Sequence, residues 1–322
     1  MRTGRWLICF ALAWTFSAQG QTNTPPVTTT DTNAAERIEA EYQALLRLDD
    51  ASLTEIQEMI KKWNAQQGTE IGVTSEEQLQ KQVRSKIEAV KQSYQKFLHA
   101  NPKHVRAMIA YGSFLEDIQE EAEGVQWWLK ARDLDPKNAA VRNNLANHYS
   151  HSGEPKRAIE EYEAAIQIQP SEPVYHFNLG NTLYLFRRDA VALKGGTEAE
   201  MLERALECFR KARDLEPGNY DYATAYAETF YGLKNPNWQR AIEGWEYCFQ
   251  LDLTPLQRDQ VHTHLARVNL RLGKTAKAKA YLERVQSEQF QDIRQRLTDI
   301  ANRQGTPTEI VEDLSPDTPV AK

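Results

Sequence analysis

The sequence predicts an all-α protein: an α-solenoid of about five helix pairs, with a helical extension ahead of them and a capping helix behind. Three observations predict it. Between residues 34 and 303 apolar side chains recur at three- and four-residue spacing, and no stretch sustains strand alternation. Pro102, Pro136 and Pro170 stand 34 residues apart, and a fresh helical pattern follows each. One arrangement of large and small residues returns five times between Met108 and Leu282. A hairpin of two short helices cannot bury its own apolar face, so units of this length stack on one another.

The chain of 322 residues opens on a segment unlike the rest. Arg2 and Arg5 are followed by an apolar run from Trp6 to Phe16, and then by small residues with Ala18 and Gly20 placed for a cut before Gln21. This is the three-part pattern of a secretory signal, and its apolar run is short for a membrane span. Residues 1–20 are therefore expected to direct export, with no membrane span left after cleavage. Residues 21–33 hold a single aliphatic side chain, Val27, and read as a disordered linker. The stretch 304–322, with Pro307, Pro316 and Pro319, reads as a disordered tail.

Residues 34–104 form an N-terminal helical region. Ile38, Tyr42 and Leu45 make one stripe; Leu53, Ile56, Ile60 and Trp63 a second; Leu79, Val83, Ile87, Val90, Tyr94 and Phe97 a long third. Val90 and Tyr94 stand before Pro102 as Ala158 and Tyr162 stand before Pro170, so the third stripe reads as the second half of a degenerate repeat.

Residues 105–303 carry the repeats. The first element appears as Met108, Tyr111-Gly112, Leu115, and again as Arg142, Leu145-Ala146, Tyr149. It returns as His176, Leu179-Gly180, Leu183, as Ala223, Tyr226-Ala227, Phe230, and as His262, Leu265-Ala266, Asn269. The second element is a small residue with a large one four later: Gly124/Trp128, Ala158/Tyr162, Ala205/Phe209, Ala241/Trp245 and Ala278/Leu282. Large residues at these spacings fill one helix face, and the small ones let the partner helix approach. The following proline stops the second helix. Phe290, Ile293, Leu297 and Ile300 supply the capping helix.

This pattern resembles the tetratricopeptide repeat (TPR) over about 105–288, most closely at 139–172. The ruler slips between Leu179 and Ala205, where thirteen extra residues intervene. Leu183, Phe186, Ala190 and Leu193 continue the first helix, Gly195-Gly196 turns, and Thr197 with Glu200 forms a capping-box pattern. An extended hairpin near 187–204, protruding from the edge of the stack, is expected.

Chemistry is nearly absent. The net charge of −6, or −8 without residues 1–20, gives no basis for nucleic acid as a partner. Three Cys exclude a disulfide framework; Cys208 and Cys248 are left after export and are expected to stay unbridged. Gly273-Lys274-Thr275 lacks the earlier glycine of a phosphate loop, since Val268 stands there. His148 and His151, and His262 and His264, have no further metal ligands at matching spacing; His262 takes a core position and His264 should point elsewhere. No nucleophile or acid–base pair stands out, so no enzyme, cofactor or metal is expected.

In the resembled family the first helices line a concave face. Asn144 and Asn178 stand 34 apart there, as do Asn147 and Asn181, with Asn143 beside them. Their amides could donate to and accept from an extended peptide backbone, and the same residues are also frequent repeat consensus. Tyr184 and Phe177 would add apolar contact, Arg106 or Arg267 charge at the ends. Family members that clamp a C-terminal carboxylate place Lys one position before the first Asn pair; Asn143 and Phe177 occupy that place, so that specificity is not expected. Trp127 turns outward because Trp128 takes the core position. The combined expectation is an exported scaffold of a bacterial periplasm or envelope that binds a protein or peptide segment in complex assembly. The rival reading is a structural protein that oligomerises through its N-terminal helices without a peptide ligand.

Overall fold

The computed structural model describes residues 29–66 and 76–303. The signal-like segment 1–20, most of the linker and the tail 304–322 lie outside the described residues. The chain divides into two compact units, residues 1–145 and 146–322. Among the described residues all regular structure is helical.

In the first unit, α1 (Thr29–Gln66) and α2 (Glu76–Ala100) form an antiparallel pair. The register is read from three contacts: the Tyr42 and Phe97 rings, 6.1 Å apart, the Tyr94 hydroxyl donating to Asp49 Oδ2 at 2.6 Å, and the Lys86–Glu55 ion pair. α1 runs unbroken through what the sequence presents as two stripes. Asp49 and the buried Ser52 fill the gap between Leu45 and Ile56, so the inward face continues through polar members. The helix also takes in residues 29–33, which the sequence assigns to a linker. Extending a formed helix fixes one residue per added hydrogen bond, so a polar lead-in is easily absorbed.

α3 (Val105–Asp117) and α4 (Glu121–Leu134) pair closely because two glycines face each other. A Cβ on Gly124 would lie 2.7 Å from the Gly112 carbonyl oxygen, and one on Gly112 would lie 2.5 Å from Trp128 Nε1. The space goes to the Trp128 indole, fully buried, whose Nε1 donates to the Ile109 carbonyl at 3.0 Å. The unit ends within α5 (Ala139–His151).

The second unit continues with α6 (Pro155–Ile168), α7 (Pro173–Leu185), α8 (Arg187–Lys194) and α9 (Glu198–Leu215). Then come α10 (Tyr220–Thr229), α11 (Trp238–Tyr247), α12 (Pro255–Arg271), α13 (Thr275–Leu282) and α14 (Gln291–Asn302). Packing runs in chain order, α6 on α7, then α9, α10, α11, α12, α13 and α14, which is the connectivity of an α-solenoid. At the last place α14 sets Leu297, Ile300 and Ala301 against Ala266, Leu270, Ala278 and Leu282.

The prolines of the 34-residue ruler have a second use. Arg142 Nε donates to the Pro136 carbonyl at 3.2 Å, and His176 Nε2 lies 2.8 Å from the Pro170 carbonyl. A polar side chain at this repeat position thus engages the carbonyl of the proline that follows the ended helix.

The insertion departs from expectation. The first helix does not lengthen; it breaks at Phe186, whose φ of −109° and ψ of 38° are not helical. Arg187 Nη1 takes up the Tyr184 carbonyl at 3.1 Å, and α8 folds against α6 and α9. Glu163 of α6 accepts from Lys194 at 2.5 Å and from Arg204 at 3.0 Å, and Ala190 is fully buried. The hairpin is thus packed down, not protruding. Thr197 caps α9 in a complete capping box with Glu200. Cys208 and Cys248 are both free thiols, each pushed up to about 12 by burial.

Candidate functional site

The first helix of each repeat in the second unit touches the first helix of the next. Between α5 and α7, Asn178 Nδ2 donates to Asn147 Oδ1 at 3.1 Å, and the Ser150 and Thr182 hydroxyls are 3.4 Å apart. Between α7 and α10 the Phe177 and Tyr222 rings lie 4.8 Å apart. Between α10 and α12 the Tyr220 hydroxyl donates to Gln260 at 3.2 Å. These contacts make one continuous face of first helices from Asn147 to Arg271.

The amides named from sequence divide on this face. Asn147 Oδ1 accepts from both Asn178 and the Tyr162 hydroxyl, the latter at 2.6 Å, so its acceptor is committed to holding α5, α6 and α7 together. Asn181, one turn along α7, is half-buried and, among the described residues, makes no side-chain hydrogen bond. Tyr184 continues the same row; a Cβ on Gly232 would meet its ring at 3.2 Å. Burial and the nearby Glu228 carboxylate raise its hydroxyl above the ordinary value. Asn143 and Asn144 belong to the first unit, where Asn144 Nδ2 donates to the Ser113 hydroxyl at 3.2 Å. The structure brings Asn147 and Asn178 into contact and leaves Asn181 and Tyr184 open beside them.

Of the two arginines proposed to supply end charge, Arg106 is occupied. It pairs with Glu39 at 3.0 Å and lies 4.6 Å from the Tyr42 ring centre, within the first unit. The Trp127 ring lies tilted against Tyr111 at 5.4 Å and under Lys130 at 4.8 Å, a surface patch of the same unit.

The far end of the face holds Arg267, named from sequence for end charge, and His264, together with Glu228, Tyr231 and Arg271, which the sequence pattern did not single out. Residues 261–270 of α12 are buried on every side, so polar side chains there meet protein wherever they point. His264 does not turn away: its ring stacks on Trp245 at 4.0 Å and 8°, and Nδ1 lies 3.1 Å from the Tyr231 hydroxyl. Burial pushes it down to about 3, so the ring is neutral at physiological pH. Arg267 is 4% exposed, and its Nε and Nη2 meet no hydrogen-bond partner. Arg267 and Arg271 stand 6.0 and 5.9 Å from the centre of one ring, Tyr231. Arg271 also lies 5.0 Å from the Trp238 ring. Glu228 is the acid on this stretch; its side chain is 50% exposed and stands 3.9 Å from His264 Nε2.

A signal for these residues existed. Asn147 follows Leu145-Ala146, Asn181 follows Leu179-Gly180, Glu228 follows Tyr226-Ala227, and Arg267 follows Leu265-Ala266. One repeat position therefore carries two amides, an acid and a base in succession. The arrangement can hydrogen-bond a polypeptide backbone near Asn181 and offers an exposed carboxylate at Glu228, whereas Arg267 is enclosed. Among the described residues no group of three or more His, Cys, Asp or Glu could hold a metal ion, and no helix is long and apolar enough to cross a membrane.

Comparison with known proteins agrees with this architecture. The family profile described as "TmcB, TPR repeats" matches residues 21–140, one described as "TPR repeat" matches 149–185, and "Tetratricopeptide repeat" matches 259–292. The peroxisomal targeting signal receptor of Komagataella phaffii is 25% identical over 146 residues, 44% of this chain and 24% of the receptor. The chain thus spans about a quarter of that relative. The photosystem I assembly protein Ycf3 of Synechococcus sp. (strain CC9605) is 27% identical over 133 residues, 39% of this chain and 76% of that protein. Among solved structures, YrrB, a TPR protein "with an unusual peptide-binding site", superposes with a TM-score of 0.52 at 14% identity. The match covers 64% of this chain and 97% of YrrB, a likeness of fold. With three repeat profiles matched along its length and the helix-pair fold to go with them, the chain is a tetratricopeptide-repeat protein.

Proposed function

We propose that this protein is an exported, non-catalytic scaffold that binds a peptide segment of a protein partner along the first-helix face of its second unit, and serves complex assembly in the bacterial periplasm or envelope. The observation that carries the reading is the row at one repeat position, Asn181 and then the exposed Glu228, set beside Tyr184 on one continuous helix face; Arg267, next in the row, is enclosed. Such a row alternates backbone-binding and side-chain-reading groups at the repeat spacing, which suits an extended ligand. Preformed repeats present it with little reorganisation, so little ordering entropy is lost on binding. Relatives named for receptor and assembly roles, and the peptide-binding site described for YrrB, support the class of job. Export rests on residues 1–20 alone, and a cut before Gln21 is checked by the mass of the protein recovered from the envelope fraction of its cells.

The experiment is selection of short peptides from a displayed library on the full chain, repeated with Asn181→Ala and Tyr184→Ala. Enriched peptides that bind the native chain and lose roughly tenfold or more on the double variant support the reading. Failure to enrich any peptide, or equal binding to both chains, overturns it.

A further inference from the structure

We infer that the open groove beside Trp127 takes the acidic, aliphatic segment 309–314 of a second copy of this chain. The groove belongs to the first unit and is separate from the peptide face proposed on the second.

The groove lies between the α2–α3 turn and α4, with a volume of about 990 Å³. That is the top of the range of about 300–1,000 Å³ typical of ligand clefts. Pro102, Lys103, Trp127, Leu129, Lys130 and Leu134 line it. Trp128 and Ala131 take the buried positions of α4, which leaves Trp127 and Leu129 half-buried and Leu134 43% exposed. The Trp127 ring is held in place: Tyr111 tilts against it at 5.4 Å, and the Lys130 ammonium lies 4.8 Å from its centre. A held aromatic ring beside open aliphatic surface can anchor a partner segment.

The rim is positive on a chain whose net charge is −6. Arg132 pairs with Asp133 at 3.5 Å, so these two lining residues cancel. Lys103 and Lys130 are exposed, and among the described residues neither meets a carboxylate at ion-pair distance. Glu123 accepts from Trp127 Nε1 at 3.5 Å and does not line the groove. Apolar surface with two uncancelled ammonium groups suits an acidic segment that also carries aliphatic side chains.

The chain itself carries such a segment beyond the described residues. Residues 304–321 include four acids and no base, and Glu309, Glu312 and Asp313 stand among Ile310, Val311 and Leu314. The spacer 304–308 lets this segment reach about 20 Å at most from Arg303. Within the second unit α14 connects to α6 only through α13, α12, α11, α10, α9 and α7 in turn, and packed helices stand about 8–10 Å apart. The spacer does not cover that series, and the groove on α4 comes before it in the chain. The segment is therefore assigned to a second copy. Groove and segment are different surfaces, so the contact is heterologous and can propagate from copy to copy.

The test is sedimentation equilibrium of the full chain over a range of concentrations. The native mass should rise with concentration, and less so at high salt. Two charge-reversed chains, Lys103→Glu with Lys130→Glu and Glu312→Lys with Asp313→Lys, should each associate roughly tenfold or more weakly. An equimolar mixture of the two should associate again, because each groove then meets a segment of opposite charge on the other chain. A native mass that stays constant, association that survives both reversals, or a mixture that stays apart overturns the inference.

A second readout needs no charge-reversed protein, so a variant that fails to fold does not decide the question. A synthetic peptide of residues 305–318 should dissociate the native assembly and shift the Trp127 indole N–H resonance in a saturable way. The same peptide carrying Glu312→Lys and Asp313→Lys should do neither. Equal action of the two peptides, no dissociation, or dissociation without a shift at Trp127 would place the contact elsewhere and sink the assignment.

Discussion

Asn178 donates to Asn147 at 3.1 Å, so two amides of one ladder are spent on each other. Asn147 also receives the Tyr162 hydroxyl, and a single side chain ties α5, α6 and α7. Asn147→Ala would leave two donors short of their acceptor in the packed face. It should cost about 1–3 kcal/mol of stability in urea unfolding. Asn181→Ala, half-buried and outside this network, should stay within about 0.5 kcal/mol of native. Equal losses for the two would mean that the ladder is uniform.

Close approach of α3 and α4 depends on glycine at two places. Gly124→Ala puts a methyl group 2.7 Å from a backbone oxygen, which no rotamer change relieves. The cost should be about 1–3 kcal/mol, with a shift in Trp128 fluorescence as the pair separates. Gly218→Ala meets nothing within 4 Å and needs no positive φ. It should raise stability by about 0.4–1 kcal/mol by restricting the unfolded chain. Thermal or urea unfolding of the two variants checks both signs.

Acidification should act oppositely on particular residues of the two units. Burial raises Asp49 and Asp117 to about 6 and Glu116 to about 7, all in the first unit. A carboxyl with a raised folded value binds more protons folded than unfolded. Its contribution is present in full below the unfolded value and is lost as pH rises through the folded one. The first unit should therefore be more stable at pH 5 than at pH 8, with His104, held neutral by burial, opposing in part. Asp49→Asn isolates the term: it should stabilise this unit at pH 8, by about 1–3 kcal/mol, and much less at pH 4.

His264 has the opposite sign. Its folded value near 3 lies below the ordinary 6.5, so the unfolded chain takes up the proton first. Stability at α12 is lost as pH falls from about 6.5 toward 3. Hydrogen exchange, corrected for its intrinsic pH dependence, should show protection of α12 falling at pH 5 and that of α1 to α3 rising. Parallel changes in both would contradict the assignment.

Much of the architecture was legible because repeat physics is written in side-chain size. Gly112, Gly124 and Trp128 announce a close helix pair, and the prolines at 34-residue intervals announce where each pair ends. The misreadings came where polar residues do structural work. Asp49 and Ser52 split the stripe of α1 in sequence yet continue its buried face in space. Phe186 looks like a continuing core residue, but the bend there and the folding of α8 against α6 come from contacts with Glu163 that no local pattern reveals. At the site, asparagines stood out because they repeat. Arg267 holds the same register with a different side chain, and its burial follows from α12 being enclosed on every side, a tertiary fact. The same enclosure gives His264, which the spacing turns away from the His262 position, a buried partner in Trp245.

The claim that most needs testing is that the first-helix face of the second unit holds a peptide. Hydrogen exchange of the full chain, with and without a peptide selected on it, measures this directly. The account predicts added protection along α7 and α10, centred on the segments holding Asn181, Tyr184 and Glu228, with α1 and α2 unchanged. Protection confined to α1 and α2, or to α8 and α9, would place the ligand elsewhere and contradict it.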